Sequence, residues 1–342
     1  MPRFSTGVVT RILSERPGMQ RVEVDGQPAY VLTELVGPVA PDDRVVVNTT
    51  AVDLGLGTGG RHVVHWNLSR DEWSSEGRGT VMKLRYTSLQ ADVGAAEEEP
   101  DRPPLPGDLG GTPVVACALH SQVAPVAAAF ADTAPGRRLG YVMTDAAALP
   151  LAFSDLVHDL RSADLLHFTV SCGQAFGGDH EAVNLHSGLQ VAVAGGADAV
   201  VVAAGPGGVG TRTTLGFSGL EVATMIDAAS LLGGRPVAAV RFSDADPRQR
   251  HHGVSHHTAV ALWAAGRTAL VAVPRGEAPA VVPLGGAGRH QLAEVDVPDV
   301  AALLAHRGLA VRTMGRGADD DPGFFRWAAA AGVAAAQLVA GG

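Results

Sequence analysis

The hydrophobic pattern of this chain changes character once along its length. Residues 7–13, 20–25, 29–35, 44–50 and 61–68 are short β-rich runs, separated by turn signals such as Pro17-Gly18 and Asp25-Gly26. They predict four or five strands curled into a small barrel or sandwich. Residues 81–89 read as one more strand. From Thr112 the apolar runs stop alternating with polar positions: 114–119, 139–144, 165–171, 197–204, 236–242 and 269–273. Strands of that kind are buried on both faces, as in a parallel sheet. Helical stretches fit between them at 154–163, 181–194, 219–232 and 256–267. This alternation predicts an α/β domain, a Rossmann-like, mostly parallel sheet with helices on both faces. A looser continuation adds strands at 291–297 and 310–314, a helix near 300–307 and a last helix from Pro322.

Between the two patterns lie Glu97-Glu-Glu-Pro100 and Pro103-Pro-Leu-Pro106, an acidic and proline-rich stretch that predicts an unpacked linker. The expected organisation is therefore a small all-β, barrel-like domain at 1–94, a linker at 95–111 and the α/β domain at 112–342.

Composition narrows the function classes. The net charge of −9 is spread along the chain, so a global electrostatic case for nucleic-acid binding fails. An oligonucleotide-binding barrel needs exposed aromatics and basic residues on one face, and only Tyr30 and a few arginines are on offer there. Lys83 is the single lysine, which leaves one candidate for Schiff-base chemistry, and no Gly-Lys-Ser/Thr phosphate loop occurs. Two cysteines, Cys117 and Cys172, make no disulfide framework and fit a reducing cytosol. No leader pattern opens the chain, and the alanine-rich stretch 328–340 is too short to cross a bilayer. A cytoplasmic protein with no membrane partner is the expectation, with homo-oligomerisation left open.

In an open parallel sheet, ligands bind beyond the carboxyl ends of the strands. The predicted strands lead there into His120-Ser121-Gln122, Thr144-Asp145, Ser171-Cys172-Gly-Gln174 with Asp179-His-Glu181 and Asn184, a glycine loop, and Ser243-Asp-Ala-Asp-Pro-Arg248. Five loops of reactive side chains then meet on one rim.

The glycine loop, Gly205-Pro-Gly-Gly-Val-Gly-Thr-Arg-Thr213, matches Gly-x-Gly-x-x-Gly at Gly205, Gly207 and Gly210. Such loops let backbone amides approach a phosphate at a helix start. Here residues 211–218 intervene before the helix, and the nearest acidic residue toward a ribose, Asp244, lies too far along. Those features weigh against a dinucleotide and leave an anion cradled by Gly207, Gly208, Gly210 and Thr211, with Arg212 and Arg248 for charge. Arg250-His-His-Gly-Val-Ser-His-His-Thr258 places four histidines in seven residues. Ser255 as N-cap puts His256 and His257 in a first helical turn, with His252 just outside it. A helix N-terminus disfavours imidazolium, and neutral imidazole suits a general base or a metal ligand. A divalent metal stays open, although no His-x-x-x-His with an intervening glutamate falls in a helix. Asp145, Asp179 and Glu181 are the accompanying carboxylates, the last two also reading as helix caps. Cys172 is a further nucleophile candidate if it faces a helix start.

These motifs resemble one bacterial family, the domain of unknown function DUF3866. The similar stretches are Met82-Lys-Leu-Arg-Tyr-Thr87, Tyr141-Val-Met-Thr-Asp145, Cys172-Gly-Gln-Ala-Phe-Gly-Gly178 with Glu181-Ala-Val-Asn184, the loop from Gly205, and Asp246-Pro-Arg248 through His256-His257-Thr258. Where an acidic–hydrophobic pair is expected after Gly178, this chain has Asp179-His180. The resemblance implies no activity. The sequence reading is an enzyme, a hydrolase or group transferase, acting on a small anionic, phosphorylated or nucleotide-like metabolite. Its rival is a non-catalytic sensor or interaction module using the same pocket.

Overall fold

A computed structural model describes residues 1–57, 59–77, 79–280 and 288–341. It divides into two compact units, 1–94 and 95–342. In the first, β1 (Phe4–Arg16), β2 (Met19–Val24), β3 (Gln27–Leu32), β4 (Arg44–Asn48) and β5 (His62–Asn67) close into a barrel in the order β1-β2-β3-β5-β4. All pairs are antiparallel except β3 with β5. Register shifts between Val9 and Arg11 and between Ile12 and Ser14 kink the long β1, so that it pairs with β2 on one side and β4 on the other. Asp25 and Gly26 both adopt positive φ, the requirement of a tight hairpin turn whose twist matches its strands. Alternate residues point inward, and Val9, Val22, Val24, Val31, Val45, Val47 and Val64 make the core. Tyr30 points outward but is buried, with Arg21 and Arg61 over its ring.

The second unit is an α/β fold. The strands of its main sheet are β6 (Pro113–Ala116), β7 (Leu139–Thr144), β8 (Phe168–Cys172), β9 (His180–Ala182), β10 (Ala199–Ala204), β11 (Arg235–Ala239), β12 (Leu270–Pro274) and β13 (Gln291–Val295). They form one sheet in the order β9-β8-β7-β10-β6-β11-β12-β13, parallel throughout. Side chains of successive strand residues fall into two separate cores. One packs against α1 (Val123–Thr133), α2 (Asp155–Ser162), α6 (Val300–His306) and α7 (Pro322–Ala340). The other packs against α3 (Leu185–Ala194), α4 (Val222–Leu231) and α5 (His256–Ala264). α7 is apolar and long enough to span a membrane by composition, yet most of it is buried inside this unit. Its Gly332 lies so close to α1 that a Cβ would sit 2.2 Å from the Val126 carbonyl oxygen.

Several expectations change in detail. Leu84 and Tyr86 take positive φ, so the strand expected over 81–89 shrinks to Met82–Lys83, paired with Ala91–Asp92. Residues 310–314 form no strand; a Thr313–Arg316 bridge turns the chain there. Asp179-His180-Glu181 does not open a helix. The Asp179 carboxylate accepts from the Thr169 amide (2.8 Å) and hydroxyl (3.1 Å), which ties the chain beside β8 as the edge strand β9. The helix starts only after Asn184, whose Oδ1 accepts from the Ser187 amide. The stretch 95–111 is packed rather than loose: Ala96 and Leu109 are buried, and the Leu109 amide donates to the Leu232 carbonyl at 2.7 Å. Proline and acidic residues there serve a strap, because its few apolar side chains find a groove beside α3 and α4.

Candidate functional site

The order of the sheet creates the site. From β6 the chain turns to the α1 face, and from its neighbour β10 it turns to the α4 face. Where neighbouring loops part in this way, a crevice opens beyond the carboxyl ends of the strands. Here it has a volume of about 500 Å³, with His120 and Ser121 from the β6 loop and Gly205, Gly207 and Gly208 from the β10 loop. Ser154, Asp155 and Asp159 of α2 and its N-cap, Ser218 and Glu221 before α4, and Arg312 and Thr313 add to its polar lining; much of the rest is apolar, including Leu119, Phe153, Val222 and Met225.

His120 and Ser154, both in this lining, are in direct contact. The His120 Nδ1–H donates to the Ala204 carbonyl at 3.0 Å, which fixes the tautomer and leaves Nε2 as an acceptor. Ser154 Oγ lies 2.6 Å from that Nε2 and, as the N-cap of α2, accepts from the Val157 amide at 3.0 Å. The Tyr141 hydroxyl, donating to the Ala203 carbonyl, stands 3.3 Å from His120 Nδ1. Burial pushes the His120 pKa down to about 4, against the opposing effect of the Ala204 carbonyl, so the ring is neutral near pH 7. Glu221 accepts from the Thr144 hydroxyl at 2.7 Å, and burial raises its pKa. Sequence reasoning named His120 and Ser121 but not Ser154 or Glu221. Ser154 read only as a helix start, and its pairing with a side chain 34 residues away has no local signal.

The glycine loop has a different task at each glycine. A side chain at Gly205 would meet the Ala148 carbonyl at 2.1 Å, so only glycine fits. Gly207 has φ +91 and open space around it. Among the described residues the amides of Gly207 and Gly208 have no backbone partner, and both residues line the crevice. Gly210 pairs with Phe217. Thr211, Arg212 and Thr213 form an exposed turn closed by hydroxyl contacts to one another and to Gly216. No helix starts at this loop, because a short 3₁₀ segment, Ser218–Glu221, precedes α4.

Phe217 connects the loop to the histidines. Its ring stacks on His257 with centroids 3.8 Å apart and an angle of 3°. His251, His256 and His257 come together with one potential ligand atom each, all within 4.8 Å of one another. His251 is buried and contacts Ser255 Oγ at 2.7 Å through Nδ1, while His252 is exposed. Ser255 is the N-cap of α5, its hydroxyl accepting from the His257 amide. Arg241 donates to His257 Nδ1 at 3.0 Å. Burial and the Arg241 charge bring His251 and His257 down to about 3, and burial with Arg250 lowers His256. Asp246, also buried, holds Arg248 at 2.7 Å and stands 3.8 Å from Arg241 and 3.7 Å from Arg316.

The remaining candidates are tied into structure. Asp145 accepts from the Gln174 amide at 2.9 Å, and Glu181 accepts from the Gly177 amide at 2.6 Å. Asp244 accepts from the Gly323 amide at the start of α7, and Asn184 caps α3. Arg248 forms a two-pronged pair with Asp246. Asp179 sits with Arg161 away from the crevice lining. The Cys172 Sγ–H is buried and donates to the Met143 carbonyl at 3.4 Å.

No curated protein and no solved structure matches this chain. A family model described as "Protein of unknown function (DUF3866)" matches residues 28–332 of the 342, and the chain belongs to that family.

Proposed function

We propose that this protein is a hydrolase or group-transfer enzyme with Ser154 as nucleophile and His120 as its base, acting on a small molecule in the β6–β10 crevice. The carrying observation is the 2.6 Å contact between Ser154 Oγ and His120 Nε2, with the ring oriented from behind by the Ala204 carbonyl. A hydroxyl, a base and a group that orients the base are the parts of an activated nucleophile. In the reaction the hydroxyl proton moves to Nε2 as Oγ bonds to the substrate carbon, and the Ala204 carbonyl stabilises the imidazolium formed. The amides of Gly207 and Gly208 are the donors for the developing oxyanion. The bond from the substrate carbon to the leaving group then breaks as that group takes the proton from Nε2. A water or acceptor hydroxyl, giving its proton to the same Nε2, attacks the carbon, whose bond to Oγ breaks as Oγ takes that proton back.

The lining bears on the substrate. Three carboxyl groups, Asp155, Asp159 and Glu221, face the crevice against one guanidinium, Arg312, within largely apolar walls. An uncharged acyl compound suits these walls better than the phosphorylated metabolite that the glycine loop brings to mind. The rival reading, a non-catalytic binding module, draws on the burial of Ser154, which is 2% exposed and already serves as a cap.

A fluorophosphonate probe and a panel of short-chain p-nitrophenyl esters separate the two. Labelling of the wild type at Ser154, lost in His120→Asn and in Ser154→Asp, supports the enzyme. The aspartate keeps a capping oxygen, so unchanged melting of Ser154→Asp shows that the fold survives. Wild-type protein that neither labels nor turns over any ester leaves the binding module standing.

A further inference from the structure

We propose that His251, His256 and His257 form a site for a divalent transition metal of the zinc type, separate from the crevice and independent of the Ser154–His120 pair. Three imidazoles from one short segment converge, each offering a nitrogen within 4.8 Å of the others. Zinc held by nitrogens at about 2.0–2.1 Å needs them roughly 3.3 Å apart, a distance that small rotations of the side chains reach. The set is of mixed burial: His251 is buried, while His256 and His257 are partly exposed, so an ion has a way in and a fourth position stays open to solvent. Three protein nitrogens with an open position are the pattern of reactive rather than structural zinc.

Two further observations point to a ligand. Among the described residues His256 Nδ1 is buried without a hydrogen-bond partner, a cost that a buried polar atom seldom bears without reason, although the ring also meets the Arg250 backbone. The rings are also held from outside: His251 by Ser255 Oγ at 2.7 Å, and His257 by the stacked Phe217. Such outer contacts orient metal-binding imidazoles.

The Arg241 guanidinium is the element that opposes the ion. It donates to His257 Nδ1, so binding through either ring nitrogen requires that hydrogen bond to break. Arg241 has a second partner in Asp246, and Asp246 and Asp321 together offset two of the three guanidinium charges of Arg241, Arg248 and Arg316. Arg241 thus acts as a gate on the site, and loading requires its side chain to shift onto Asp246.

The test is a titration of chelator-treated full-length protein with Co²⁺, followed by visible absorption and by equilibrium dialysis, with Zn²⁺ as competitor. The expected result is one equivalent of Co²⁺ with the strong absorption of a low-coordinate site, displaced by Zn²⁺ and lost in His256→Asn and His251→Ala. Arg241→Gln, whose carbonyl can accept from His257 Nδ1–H, is expected to bind about tenfold or more tightly. His256 is only partly buried, so its variant keeps the measurement interpretable if His251→Ala fails to fold. No uptake by the wild type overturns the proposal, even if Arg241→Gln binds the ion. Equal uptake by wild type and His256→Asn overturns it as well.

Discussion

His120 and a cluster of three histidines share one rim of the α/β unit and live under opposite electrostatics. His120 lies in a crevice whose charged lining is mainly carboxylate, and its partners are a hydroxyl and a carbonyl. His251, His256 and His257 lie among arginines. Burial is the first cause of the lowered pKa in every case, and it alone keeps His120 neutral, whereas Arg241 adds to it in the cluster. A neutral imidazole therefore says little about purpose until its neighbours are named. One ring meets a serine hydroxyl; the other three meet one another, Ser255 and Arg241.

The largest effects should distinguish the two regions outright. Ser154→Asp or His120→Asn is expected to lower ester turnover by about 10²- to 10⁴-fold, measured as kcat/KM, while Co²⁺ uptake stays at the wild-type level. Turnover that survives both changes removes the pair from any chemistry.

The acid limb of stability is the next effect in size. The folded protein keeps His120 neutral down to about pH 4, whereas the unfolded chain protonates it near the ordinary 6.5. The unfolded state binds more protons in that window, so stability rises with pH from 4 to 6.5 and is lost as pH falls across it. The span is about 3 kcal/mol for a shift of this size. His120→Asn should reduce the slope of that part of the curve in urea unfolding at stepped pH, while His251 and His257, held neutral down to about 3, keep the rest of it. An unchanged slope would mean that the ring is solvated.

Ser255→Ala is expected to act only on the other region. It removes the N-cap of α5 and the partner of His251. It should cost about 1 kcal/mol of stability and weaken Co²⁺ binding by about tenfold or more, with labelling of Ser154 untouched. Thr144→Val should give the smallest change. It removes a hydrogen bond that favours the Glu221 carboxylate, so the ionisation of Glu221, followed by carboxyl infrared absorption, should move to higher pH. If it stays put, Glu221 is solvated rather than desolvated in the crevice.

Much of the architecture could be read in advance because it rests on period. Valine-rich strands without alternation, such as Ala199–Ala204, can only be buried on both faces. Asp25-Gly26 marks a tight turn because few other pairs tolerate positive φ twice. Ser255 as an N-cap follows from a local hydrogen bond two residues long. Of the site, His120, Ser121 and the glycines at 205, 207 and 208 were visible as residues that follow strands, and they do share one crevice. His252 and His251 could not be told apart by spacing, yet one is exposed and the other buried in the cluster. Nor could sequence show that Asp145, Asp244 and Asn184 spend their oxygens on backbone amides.

By itself, then, the order of residues determined most of the strands and helices, the change from barrel to parallel sheet and most of the loops that follow the strands, since all of these depend on neighbours a few positions apart. Tertiary structure alone settled that Ser154 meets His120, that Phe217 joins the glycine loop to the histidines, and that residues 95–111 are packed. Those outcomes depend on strand order and on burial, both of which bring together side chains far apart in the chain and neither of which has a local signature.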